Sequence, residues 1–251
     1  MKKTKKPLKI VILSVLGVIL LLGIIITVIA VKELKQEDVL KQEIINYSNM
    51  DLIKDDYKIN VKTTGDCAYV EEAIKKYFKE LSDNLKGINH YLNSDELTNI
   101  LSYDNLKKDK PTFKESKNTI TNTKTNINKY IDNINNLVSE KTIKSLIDKD
   151  KLEDGDYYYD LYLNLIYTKQ DQKDYEEIKQ DMTNLKKSLN KFLDKTNEII
   201  KLLETKNESI EYKDNNVYFE SQSDLNKYQK LLEDLKTISS NIENESKTIK
   251  A

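Results

Sequence analysis

The chain has no arginine or tryptophan, and its 251 residues include one cysteine, one histidine, two prolines and five glycines. Arginine is the side chain that binds phosphates and guanine edges bidentately, so its absence argues against recognition of nucleic acid. Five of the 41 lysines precede an apolar run near the N-terminus. The rest of the chain, with 42 acidic residues, therefore has a net charge of about −6, which does not suit a DNA-binding surface. We expect no nucleic-acid partner.

The single cysteine cannot form an internal disulfide, so the fold does not depend on an oxidising compartment. Cys67 and the lone histidine, His90, fall on one predicted helix, roughly 35 Å apart at about 1.5 Å per residue, too far for a catalytic pair. His90 has no second histidine to share a metal with. The sequence also has no Gly-rich phosphate loop, G-x-S-x-G or H-E-x-x-H motif. We therefore expect a protein that is not an enzyme and has no cofactor or metal.

The acidic run Asp148–Asp160 invites comparison with a calcium-binding loop. With Gly155 at the sixth loop position, leucines occupy the third and twelfth positions, and the bidentate glutamate of an EF-hand is missing. Lysines also interrupt the acidic residues. A solvated turn with helix-capping aspartates is the favoured interpretation.

The longest apolar run, Ile10–Val31, contains no charged residue. As a helix it measures roughly 33 Å, close to the thickness of the hydrocarbon core of a bilayer. The apolar core of a cleaved signal peptide is usually shorter, about 7 to 15 residues, so this length predicts an uncleaved transmembrane anchor. Cleavage near Ala30, after small residues that resemble a signal-peptidase site, is the alternative and would give a secreted protein.

The lysines of the N-terminal tail give the orientation of this anchor. Five lysines precede the run, whereas the residues just after it mix lysines with acids. The positive-inside rule places the tail in the cytoplasm and the large domain outside. We expect a single-pass cell-membrane protein with a tail at 1–9, an anchor at 10–31, a juxtamembrane helix or linker at 32–56 and an extracytoplasmic domain at 57–251.

The scarcity of glycine and proline beyond the anchor predicts long helices rather than extensive sheet. Heptad-like apolar stripes predict four of them, over 66–92, 114–147, 171–206 and 223–247. Shorter helices are expected at 94–102 and 157–169, and the latter either continues into the helix from 171 or ends before it. The predicted fold is mainly α: a transmembrane helix followed by an elongated antiparallel bundle of about four long helices.

Two segments have the alternating pattern of strands. Residues 57–63 alternate apolar and polar side chains, and Ser209–Glu220 does so on both sides of Asp214-Asn215-Asn216. The second segment predicts a β-hairpin. Because an isolated hairpin is marginally stable, we expect the segment near Tyr57 to pair with it in a three-stranded sheet at one end of the bundle.

Four tyrosines at positions 157, 158, 159 and 162 surround one predicted helix. They cannot all face the same neighbour, and tyrosine suits surfaces that are partly wet and partly apolar. Ordinary packing between neighbouring helices is the favoured interpretation. Tyr157, Tyr158, Tyr159 and Tyr162 are also the candidate contacts for a partner.

The sequence thus predicts a membrane-anchored helical bundle that binds a protein or a cell-envelope component. Its heptad faces could also close between copies as a homo-oligomer. The alternative is an extracytoplasmic sensor that holds a small ligand and works with a partner membrane subunit. The A+T-biased residue usage is typical of a low-GC bacterium.

Overall fold

The computed structural model describes residues 2–3 and 35–248. The apolar run Ile10–Val31, on which the predicted membrane anchor depends, lies outside these residues. Within the described part, no helix combines the length and apolar character needed to cross a bilayer. The described chain is mainly helical and has a small antiparallel sheet.

The helices and strands are numbered here in chain order. The α-helices are α1 (Lys35–Ser48), α2 (Asp66–Leu92), α3 (Asp95–Thr98), α4 (Tyr103–Asp109), α5 (Lys114–Leu137), α6 (Glu140–Ser145), α7 (Gly155–Ile166), α8 (Lys169–Thr205) and α9 (Gln222–Thr248). Single 3-10 turns occur at Lys149–Lys151 and Asn207–Ser209. The strands are β1 (Lys2–Lys3), β2 (Ile210–Lys213) and β3 (Asn216–Phe219).

The apolar stripes that predicted the long helices form their buried faces. The residues of α2 that share this face are all buried: Cys67, Val70, Ile74, Tyr77, Leu81, Leu85, Ile88 and Leu92. The stripe of α8 is buried from Tyr175 to Leu203, apart from the half-buried Ile178. Thr196, which interrupts that stripe, is buried and donates its hydroxyl to the Phe192 carbonyl at 2.9 Å. The helical interpretation is confirmed.

Two predicted helices end shortly before a side chain caps the start of the next helix. Periodicity alone does not indicate these positions. The helix predicted over 114–147 ends at Leu137, and Ser139 starts α6 by accepting from Thr142 N–H. Helices α7 and α8 are separate. Thr168 and Asp171 cap α8 reciprocally, since each side chain accepts the other residue's backbone N–H, at 2.6 and 3.2 Å.

The predicted hairpin is confirmed. Strands β2 and β3 pair antiparallel with Tyr212 opposite Val217. Asp214 and Asn215 both have positive φ, 50° and 55°, as the two-residue type I′ turn requires. The third strand of the sheet is β1, whose Lys2 lies opposite Phe219.

The prediction that the segment near Tyr57 joins this sheet is wrong. Residues 57–64 form no ladder, and their backbone groups bond to side chains of α1 and α2. Their backbone groups are bonded by the buried side chains Glu71 and Lys75, which replace a neighbouring strand. Hydrogen-bonding side chains on a helix can thus hold an extended segment that alternation assigns to a sheet.

The described chain divides into two compact units. The first unit contains residues 35–87 and 130–183. Its core includes Leu40 and Ile44 of α1. The second unit contains residues 2–3, 88–129 and 184–248. In it, ion pairs Lys117–Glu204 and Lys124–Asp194, at 2.8 and 2.6 Å, join α5 to α8.

Candidate functional site

The four tyrosines predicted as partner contacts differ in exposure. Tyr157 is 44% exposed, Tyr158 and Tyr159 are half-buried, and Tyr162 is fully buried. The Tyr162 hydroxyl donates to the Ile143 carbonyl at 2.6 Å, so this residue is part of the core between α6 and α7. Of the four, Tyr157 offers the largest accessible surface.

Tyr157 and Tyr158 lie where α1, α2 and α7 meet. The Tyr157 hydroxyl donates to Oε1 of the buried Glu37 at 2.9 Å, and Tyr158 lies near the Cys67 thiol. Burial raises the pKa of Cys67 and raises the pKa of Tyr158 to about 12. Both groups are therefore protonated at neutral pH, and the thiol is a poor nucleophile.

Asp66 is the first residue of α2. Asp66 is predictable as the N-cap of its own helix, but its carboxylate accepts the Glu153 and Asp154 N–H groups at 3.0 and 2.9 Å. Gly65, at φ +60°, provides the turn that precedes it. Asp66 thus joins α2 to the loop before α7.

The acidic run does not gather ligands for a cation. Asp148 caps the 3-10 turn at Lys149–Lys151, Asp154 caps α7, and Lys149 pairs with Asp156 at 2.5 Å. Nowhere in the described residues do three His, Cys, Asp or Glu side chains converge as a metal site would require. His90 is exposed at the end of α2, where its ring contacts Tyr91.

The most unusual polar feature of the first unit is a charge network of the buried Glu43, Glu71 and Lys75 with the exposed Lys62. The Lys75 ammonium, on a side chain 2% exposed, contacts Glu43 Oε2 at 2.8 Å, Glu71 Oε1 at 2.5 Å and the Asn60 carbonyl at 2.7 Å. Glu43 Oε1 pairs with Lys62 at 2.8 Å. All three protons of the Lys75 ammonium are matched to acceptors, and the four charges sum to zero.

Hydrogen bonding keeps this network charged despite its burial. Burial alone would raise the pKa of Glu71, but hydrogen bonds from Lys75 and Thr63 outweigh it and hold that pKa below its usual value. Burial likewise opposes the charge on Lys75, and Glu43 and Glu71 raise its pKa in spite of it. The arrangement attaches the extended segment to α1 and α2 and has no uncommitted acid or base.

Sequence reasoning did not identify this network, although a signal was present. A second stripe, of mixed polar and apolar residues, lies beside the apolar stripe of α2. Its members are spaced by four and three residues: Glu71, Lys75, Phe78, Ser82 and Leu85. All five are buried. A glutamate and a lysine one turn apart in such a stripe indicate a buried ion pair.

A polar groove of ≈ 340 Å³ opens on the surface of the first unit between α2, α5 and α6. It is lined by Glu80, Asp83, Asn84, Asn133, Asn136, Leu137 and Thr142. Asn133 donates to Asn84 Oδ1 at 2.9 Å across it. Close by, Gly87 lies against the Tyr130 ring, so near that a Cβ would come within 2.4 Å of it. The groove presents both donors and acceptors, and no lysine lines it.

Exposed large apolar side chains also concentrate in the first unit. Among the described residues they are Val39, Ile59, Tyr69 and Tyr157. They come from α1, the extended segment, α2 and α7. Single exposed apolar residues are common on protein surfaces, and these four are the large ones that the described residues expose.

Comparison with known proteins gives no relative: no protein-family model, curated protein or solved structure matches the chain.

Proposed function

We propose that the protein is a membrane-anchored binding protein whose helical domain is displayed outside the cell membrane and recognises a protein or envelope partner. The tail at 1–9 lies in the cytoplasm in this proposal, and residues 10–31 span the bilayer. The support for the anchor is the uncharged 22-residue run and the lysines before it. Helix α1 then begins at Lys35, just after the span.

The observation that carries the binding role is the set of exposed apolar side chains in the first unit. Val39, Ile59 and Tyr157 leave apolar surface in water, and the Tyr157 hydroxyl donates to the buried Glu37. Interfaces are enriched in aromatic side chains, and tyrosine contributes both apolar area and a hydroxyl. This surface supports recognition rather than chemistry.

The proposed topology conflicts with one pairing. Strand β1 places Lys2–Lys3 beside β3, whereas a cytoplasmic tail and an external domain would lie on opposite sides of the membrane. Pairing of β1 with β3 and the proposed topology are therefore mutually exclusive in a cell.

Cysteine accessibility in intact cells tests this choice. In a Cys67→Ser background, K54C reports on the domain, since the Lys54 side chain is 75% exposed, and K5C reports on the tail. We expect a membrane-impermeant maleimide to label K54C in whole cells and K5C only after lysis. Labelling of both in intact cells would refute the anchor topology, and a mature mass lacking residues up to about Ala30 would establish secretion instead.

The partner surface is tested by photo-crosslinking in cells that produce the full chain. A photoreactive amino acid at Tyr157 should yield a discrete adduct, and one at Lys230, exposed in the other unit, should not. Tyr157→Ser in the presence of a crosslinker at Tyr69 should reduce the same adduct. Equal adducts from positions 157 and 230 would show non-specific contact and count against a binding surface here.

A second candidate function, a sensor for a small polar ligand, is favoured by the groove beside Asn84 and Asn133. Its amides and carboxylates suit an uncharged ligand rich in hydroxyl groups. A thermal-shift screen of sugars, polyols and amino acids on the full chain would reveal such a ligand. The shift should disappear in Asn133→Ala; a shift that persists there would place the ligand elsewhere.

A further inference from the structure

The starts of α1, α2 and α7 meet at one end of the first unit. The Tyr157 hydroxyl, in the first turn of α7, donates to Glu37 in the first turn of α1 at 2.9 Å. Gln36, beside Glu37, accepts the Thr64 N–H at 3.0 Å just before α2 begins. The Asp66 carboxylate, at the start of α2, accepts two backbone N–H groups that directly precede α7. We call this surface the helix-start end, and it comprises residues 36–39, 66–69 and 153–157.

The exposed apolar side chains concentrate at the helix-start end. Of the four large ones that the described residues expose, three lie within the first five residues of their helices: Val39, Tyr69 and Tyr157. The fourth, Ile59, lies beside the opposite end of α1, where the Tyr47 hydroxyl donates to the carbonyl of the preceding residue. Two of the three at the helix-start end are tyrosines, and tyrosine is enriched where a membrane meets water.

The chain enters the first unit from the apolar run at this same end. Four residue steps separate Val31, the last residue of the run, from Lys35, the first of α1, and an extended chain covers at most about 14 Å in them. Glu37 and its contact Tyr157 therefore lie within about 20 Å of the end of the run. Tyr47, ten residues after Glu37 on α1, is about 15 Å further along the helix axis.

Charge at the helix-start end indicates which lipid surface it suits. The exposed charged side chains among its residues are all acidic: Asp38, Glu153, Asp154 and Asp156. Lys149, outside these residues, pairs with Asp156. Anionic lipids attract clusters of lysine, so this end is not attracted to them by charge. Contact with a bilayer depends instead on the apolar side chains, and the anchor makes that contact intramolecular, so that a weak affinity is sufficient.

We propose that the helix-start end lies against the outer leaflet of the anchoring membrane, with Val39, Tyr69 and Tyr157 inserted among zwitterionic headgroups. This inference rests on the proposed function and names the envelope partner of this surface as the lipid bilayer itself. In this orientation the axis of α1 points away from the membrane. Ile59 is then about 15 Å further from the lipid than Tyr157.

Tryptophan fluorescence tests the contact directly, because the chain has no tryptophan of its own. Tyr69→Trp and Ile59→Trp each introduce one reporter, at positions that are 43% and 42% exposed. The full chain is reconstituted in vesicles of phosphatidylcholine, with and without bromine on the acyl carbons nearest the headgroup. Bromine should lower the emission of the Tyr69→Trp reporter at least about twofold and leave that of the Ile59→Trp control nearly unchanged.

Removal of the other apolar side chains tests the same contact. Val39→Ser combined with Tyr157→Ser should restore at least about half of the Tyr69→Trp emission that bromine removes, because less apolar surface then enters the lipid. Ile59→Ser, the same kind of change away from the helix-start end, should restore none. Addition of phosphatidylglycerol should not increase the quenching. Circular dichroism verifies that each variant is folded, and Tyr157→Trp is the second reporter if Tyr69→Trp does not fold.

The outcomes are distinguishable. No quenching at position 69, equal quenching at positions 69 and 59, or quenching that requires phosphatidylglycerol would overturn the proposal. A photoreactive amino acid at Tyr157 should attach to lipid; a protein captured there instead would overturn the lipid contact and leave the proposed function standing. If the quenching is as expected but K54C is labelled only after lysis, display outside the membrane fails and the contact with lipid stands.

Discussion

Replacement of Lys75 by methionine should be one of the most destabilising conservative changes in the first unit. Methionine keeps most of the buried aliphatic stem but removes the ammonium. Glu71 Oε1, Glu43 Oε2 and the Asn60 carbonyl then lose a donor at 2.5, 2.8 and 2.7 Å. Removal of one partner from a buried ion pair leaves an uncompensated charge and costs about 3–5 kcal/mol. We expect a loss of stability in that range at pH 7.

The matched control is Lys79→Met, one turn further along α2. Lys79 also pairs with a carboxylate, Asp83 at 2.5 Å, but both side chains are about half exposed. Exposed pairs of this kind contribute less than about 1 kcal/mol. Each lysine pairs with a carboxylate four residues away on the same helix. The difference in stability loss between the two variants therefore measures the effect of burial.

The pH dependence gives the prediction a sign. In the unchanged protein the pKa of Glu71 lies below its ordinary value of 4.5, so its stabilisation is fully present above pH 4.5 and is lost as the pH falls through the lower, folded value. Without Lys75, burial is no longer outweighed, and the pKa of Glu71 should rise above 4.5. Protonation of Glu71 then removes the unpaired buried charge from the variant. The difference in unfolding free energy between the unchanged protein and Lys75→Met should therefore be smaller at pH 5 than at pH 7.

The assay is urea denaturation of the full chain in non-ionic detergent, followed by circular dichroism at both pH values. A double variant, Lys75→Met with Glu71→Gln, completes the cycle and should cost clearly less than the sum of the single changes. A cost for Lys75→Met below about 1 kcal/mol, additive double-variant energies or a gap independent of pH would each refute the reasoning.

Three further outcomes are expected. Gly87→Ala should lower the melting temperature because its Cβ would come 2.4 Å from the Tyr130 ring. In a Tyr130→Ala background the same change should instead stabilise α2 by up to about 1 kcal/mol. Equal effects in both backgrounds would contradict the close packing of Gly87 on Tyr130. Asn215→Val should lower the unfolding free energy by about 1–2 kcal/mol, because position 215 has φ 55°, where a side chain with Cβ is strained. Asn215→Gly should change it little. Equal urea midpoints for the two variants would argue against the type I′ turn. The Cys67 thiol, buried and with a raised pKa, should react with a maleimide far more slowly in the native chain than in urea; similar rates would mean that the start of α2 is open.

Local signals in the sequence were sufficient for much of the fold. The stripe from Cys67 to Leu92 predicts α2, because burial repeats with the period of the helix. The hairpin was predictable from Asp214-Asn215 for a similar reason, since few residues adopt the left-handed conformation of its turn. The end of α5 at Leu137 was harder to predict from the sequence, because Ser139 caps α6 only when its backbone is extended.

The candidate sites depended more on contacts between distant residues. Alternation in residues 57–63 indicates an extended chain but not its neighbour, and the segment lies against Glu71 and Lys75 rather than the hairpin. Likewise, four adjacent tyrosines look equivalent in sequence, yet Tyr162 is buried and Tyr157 is 44% exposed. Which face of a short helix meets the core depends on the elements that pack against it.

The sequence by itself determined what depends on neighbours a few residues away: the helices, their apolar faces, the turn of the hairpin and the length of the N-terminal apolar run. Only the tertiary structure decided which charges meet. Glu43 and Lys75 are 32 positions apart, and their contact at 2.8 Å depends on how α1 packs beside α2. Periodicity describes one element at a time, whereas a buried ion pair exists only after two or more elements have packed.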